Sequence, residues 1–145
     1  MKVLFKLILF TGCITFMSAC SKGGGSGNDD GGVVHIPSPN DITAPVLDIF
    51  SPTPDQVFTS GSNINVTGRI TDDLGLYRGS IRITNDANGN ILKEQLYEIH
   101  YVLNYNFNIN YTPAVTVPSN YTVTVTFEDH GYNSATKTVK IKVNP

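Results

Sequence analysis

The chain has no tryptophan and only two cysteines, Cys13 and Cys20, both among its first twenty residues. The rest of the sequence therefore holds no disulfide. No run approaches the roughly 20 apolar residues that a membrane-spanning helix needs. Charged residues make up only 15% of the sequence, and no basic cluster marks a nucleic-acid surface. Beyond the N-terminus there is no helix-period run of useful length and no internal repeat. Gly-x-Ser-x-Gly, His-Glu-x-x-His and a phosphate loop are all missing. His35, His100 and His130 share no spacing. The adjacent carboxylates Asp72-Asp73 and Glu128-Asp129 read as turn formers rather than an acid/base pair. No catalytic residue is assigned, and the chain is expected not to be an enzyme.

The N-terminus carries an address. Lys2 and Lys6 precede the apolar stretch from Leu7 to Met17, and small residues follow. This is the layout of a secretory signal peptide, taken here as residues 1–19. Its loss leaves eight basic against twelve acidic residues, a net charge of about −4. From Ser21 to Gly32 the chain has no apolar residue and cannot offset the entropy of folding. Residues 20–40 are read as a flexible tether spanning roughly 25 Å, stiffened by Pro37 and Pro39. One domain is expected over residues 41–145.

The run Met17-Ser18-Ala19-Cys20 resembles the lipobox of bacterial lipoproteins, with Met17 in place of the usual leucine. The resemblance implies cleavage before Cys20 and acylation of that residue. Two or three acyl chains anchor stably where one does so only marginally. Ser21 stands where an aspartate would retain such a protein at the inner membrane, which implies the outer membrane, periplasmic face or cell surface. The alternative is cleavage near Ala19 by ordinary signal peptidase, giving a free protein with one unpaired cysteine.

The remaining sequence is rich in Thr, Asn, Ile, Val and Tyr, which is strand composition. Period-two alternation picks out the strands. Ile64, Val66 and Ile70 share one face, as do Ile81 and Ile83. Tyr121, Val123, Val125 and Phe127 share another, as do Val139, Ile141 and Val143. The first strand is placed at Val46 to Phe50. Turns are expected at Ser60-Gly61, Asp72 to Gly75, Asn85 to Asn90, Pro118 to Asn120 and His130-Gly131. From Tyr97 to Tyr111 every odd position is apolar or aromatic. One straight strand of that length would run about 50 Å, so a bend near Asn104 or a change of sheet is expected. Its aromatic residues read as core, with a tyrosine platform for sugar rings as the functional alternative. The fold class is an all-β, antiparallel sandwich of about seven strands.

Ala44-Pro45-Val46, Gly61-Ser62-Asn63-Ile64, Ile70 to Leu76, Tyr121 to Val125, Glu128 to Asn133 and Val139-Lys140-Ile141 together resemble bacterial immunoglobulin-like and cadherin-like domains. Tyr121 resembles the tyrosine corner of such sandwiches. Lipoproteins of Bacteroidota often carry one such domain after a glycine-rich tether, many in families without known function. The resemblance implies a non-catalytic module binding an envelope protein or glycan. A structural spacer or an accessory subunit of an envelope complex is the alternative, with a calcium-dependent adhesion module or a hydrolase behind it.

Two sets of site residues follow. In such a sandwich the loops carrying Asp41, Asp72, Asp73, Glu128 and Asp129 share one end. Calcium takes six to eight oxygens from carboxylates and carbonyls, and Asp41, Asp72, Asp73 and Asp129 are the expected ligands. Arg78, Arg82, Lys140 and Lys142 project from an outer sheet face. They form a mildly basic binding face, or a soluble one whose lysines discourage edge pairing. No other cofactor and no nucleic-acid partner is expected.

Overall fold

The computed structural model describes residues 35–145. The signal peptide, Cys20 and the glycine-rich part of the tether lie outside the described residues. Six strands follow in order: β1 (Val46–Ser51), β2 (Gln56–Thr59), β3 (Ile64–Asn85), β4 (Ile91–Tyr111), β5 (Ser119–Asp129) and β6 (Ser134–Asn144). Ile36–Pro145 is one compact unit, with its own apolar core.

Two strands are long because each serves both layers. The first part of β3 pairs with β1 and with Asn104 to Tyr111 of β4. Its second part pairs with Ile91 to Val102 of β4 and with β5. β6 continues that layer beside β5, and β2 closes it in parallel with β6. The ladder slips between Thr71 and Leu76. Gly75 there has φ +128° and Tyr101 opposite has φ +59°. Asp72 to Gly75, expected as a turn between two strands, is instead an irregularity within one. The anticipated break in the Tyr97 to Tyr111 run falls at Tyr101, three residues before Asn104.

The two layers enclose a single core. Ile64, Val66 and Ile70 from one layer and Ile81, Ile83, Val123 and Val125 from the other have no exposed surface. These β-branched side chains suit a pleated, buried face. β2 carries no strong alternation, and its four residues were not foreseen as a strand. Tyr121 is buried, and its phenol pKa is raised by burial and then by Tyr111, with a Ser119 hydrogen bond acting the other way.

Candidate metal centre

Three pieces of chain meet at one end of the sandwich, and local hydrogen bonding fixes each. Asp72 Oδ2 accepts the Leu74 and Gly75 N–H groups at 3.0 and 2.6 Å, which shapes the β3 irregularity. Asp129 Oδ1 accepts the Gly131 and Asn133 N–H groups at 2.7 and 2.9 Å, which closes the β5–β6 turn. The Asn133 amide donates to Asp129 Oδ2 and to the Asp41 carbonyl. A Cβ at Gly131 would sit 2.3 Å from that carbonyl, so only glycine allows the approach. Asp41 is thereby held against the turn.

One carboxylate oxygen from each of Asp41, Asp72 and Asp73 lies within 4.8 Å of the other two. Asp41 is only 4% exposed, Asp72 is half-buried and Asp73 is exposed. Neither Asp41 oxygen, nor Asp72 Oδ1, has a hydrogen-bond partner. Burial holds the Asp41 carboxyl above its ordinary pKa, and the charges of Asp129, Asp72 and Asp73 push the same way. The Thr43 main chain favours the charged form, but it lies outside hydrogen-bond geometry for either buried oxygen. A buried, unsatisfied carboxylate among like charges is costly. A cation would remove that cost. Oxygens this close could share one hard cation such as calcium, which takes oxygen ligands at about 2.3–2.6 Å. Three carboxylates supply part of the six to eight oxygens it takes. The groove beside them, about 310 Å³, is lined by Thr43, Ala44, Val46, Thr71, Asp72 and Asp73.

Asp129 does not join this cluster. Its oxygens are spent on the turn, and its part at Asp41 is electrostatic. Glu128 is also elsewhere, paired with Arg78 at 3.3 Å on the outer face. That outer face is not a free basic surface. Arg78 also lies over the Tyr77 ring at 4.9 Å, and Arg82 is paired with Glu94. Lys140 and Lys142 lie further along the face and line a groove with Asp55 and Asp86. The four residues share a face, but acids stand beside them. The tyrosine platform is not found either. Tyr97, Tyr105 and Tyr111 pack against the core, and Tyr101 alone of the four turns outward.

Sequence reasoning missed one cluster. His100 and His130, thirty residues apart, come within 5.4 Å between ring centroids. Tyr77 is 5.0 Å from each, and Tyr101 stacks on His130 at 4.0 Å. The pairing of β3 with both β4 and β5 brings these residues together, so no local spacing could signal it.

No protein-family model matches the chain, and no curated protein matches it. Among solved structures it is similar to the fibronectin(III)-like modules of Clostridium thermocellum CbhA. That likeness has 16% identity and a TM-score of 0.41, over 71% of this chain and 47% of that one. The chain thus spans about half that protein's length. It is also similar to the CARDB domain of a Pyrococcus furiosus protein, solved in complex with di-metal ions. There the identity is 19% and the TM-score 0.41, over 70% of this chain and 96% of that one. The described residues form an all-β fold, its strands in two layers about one core, as expected of the fold class.

Proposed function

We propose that this chain is a non-catalytic binding module of the bacterial envelope, anchored by lipid at Cys20 and carrying a calcium site at one end. The observation that carries the calcium reading is the Asp41 carboxylate, buried, without a hydrogen-bond partner, and facing Asp72 and Asp73. With only three carboxylates and a solvent-facing side, the site suits weak binding of the kind found in extracellular modules, about 10⁻⁴ to 10⁻³ M. The lipobox and glycine-rich run support the anchor, and the shallow grooves favour a binding surface over a reaction chamber.

Thermal melting with calcium tests the site. Saturating calcium should raise Tm in the wild type and leave Asp41→Asn unmoved. A wild-type Tm indifferent to millimolar calcium removes the proposal. Asp41→Asn should itself melt higher than wild type in EDTA, since it removes a buried charge from an acidic cluster.

A further inference from the structure

Exposed apolar side chains flank the acidic cluster in sequence and in the neighbouring strand and turn. Ile42 follows Asp41 and Leu74 follows Asp73. Tyr101, Val102 and Leu103 form the β4 bend, and Tyr132 stands at the β5–β6 turn. All six are exposed, Leu74 by 51%, Tyr101 by 68% and Leu103 by 54%. They are held in place rather than loosely displayed. Leu76 pairs with Val102, the Gly75 carbonyl accepts the His130 N–H, and Tyr101 stacks on His130.

We infer that this end docks onto a membrane, the cation bridging the aspartates to anionic phospholipid headgroups while the flanking apolar side chains enter the interface. The inference rests on the calcium reading above. Asp41 lies behind the site and Asp73 in front, so a cation bound there keeps outward coordination positions open for phosphate oxygens. Carboxylates and exposed apolar groups thus stand side by side at this end, with tyrosines suited to the headgroup level. Without a cation the aspartates would be repelled by an anionic bilayer, so docking depends on the ion. The chain also enters the domain at this end, where the Ser38 N–H donates to the His130 carbonyl. A lipid anchor upstream would bring this end, rather than the far one, to the bilayer.

Co-sedimentation of residues 36–145 with phosphatidylglycerol and phosphatidylcholine vesicles tests this. The protein should sediment with phosphatidylglycerol vesicles in calcium, be released by EGTA and ignore phosphatidylcholine. Leu74→Ser combined with Leu103→Ser should weaken vesicle binding at least about tenfold while keeping the calcium shift in Tm. Asp73→Asn should lose both. A calcium shift in Tm without vesicle binding overturns docking and leaves the calcium site standing. No shift in Tm removes the site itself. Vesicle binding indifferent to EGTA, or to the double leucine substitution, also overturns the inference.

Discussion

Phe107 and Phe127 stack across the sandwich, with ring centroids 5.7 Å apart and planes 26° from parallel. Each ring covers a glycine of β3. Gly68 is paired with Phe107 and Gly79 with Phe127. A Cβ on either glycine would fall 2.2 Å from the ring it faces. The centre of the core is therefore built from two strand glycines and the phenylalanines that fill the space above them.

Gly79→Ala should then cost about 1–3 kcal/mol by overpacking. Gly68→Ala should cost more, because its Cβ would also lie 2.2 Å from the Asp48 carbonyl, and backbone yields less than a ring. Urea denaturation of both variants measures this. Wild-type midpoints for the two would mean that the rings have room to move.

Asp129 and Asp73 should separate cleanly. Asp129→Ala removes the acceptor of three hydrogen bonds at the β5–β6 turn and should lower stability by about 2 kcal/mol or more. Asp73 is exposed, so Asp73→Ala should change stability by no more than about 0.5 kcal/mol yet abolish the calcium response. Melting each variant with EDTA and with calcium gives both readings. The opposite pattern would place the metal at Asp129.

Burial, and then the neighbouring Tyr105, pushes the Tyr97 phenol up to about 12 from an ordinary 10.0. The folded state thus holds this proton where the unfolded state releases it. The stability involved is fully present below pH 10 and is lost as pH rises towards 12. Tyr97→Phe cannot ionise and should show a shallower fall in Tm between about pH 9 and about pH 11. Equal slopes for variant and wild type would contradict this assignment.

Cys20→Ala tests the anchor. If acyl chains at Cys20 supply the anchor, the unacylated protein should move from the membrane to the soluble fraction when cells are fractionated in EGTA, which also removes any calcium-dependent docking. Retention in the membrane fraction would show that something else holds it.

Strand identity was legible because a two-sided sheet imposes period two on the sequence. The alternation of Tyr121 to Phe127 and of Val139 to Val143 survives unchanged as buried against open positions. The same rule misled at Tyr101 and Leu103, which keep the apolar alternation but stand outside the core. A positive φ at Tyr101 turns the strand there, and period alone cannot register a turn. β2 escaped notice because four residues, two of them exposed, carry too little pattern.

The sequence alone determined the strand composition, the absence of a disulfide in the domain and the aspartates available to one loop end. These follow from residue identity and local periodicity. Only the tertiary structure decided which aspartates meet. Asp129 and Asp72 lie beside like residues in very similar acidic pairs, yet Asp129 turns inward to its own turn while Asp72 keeps one oxygen without a hydrogen-bond partner in the cluster with Asp41. That choice depends on Asn133 and Gly131 drawing a segment some ninety residues away against the turn. Long-range packing of this kind leaves no mark on local pattern, because each partner alone satisfies only ordinary turn chemistry.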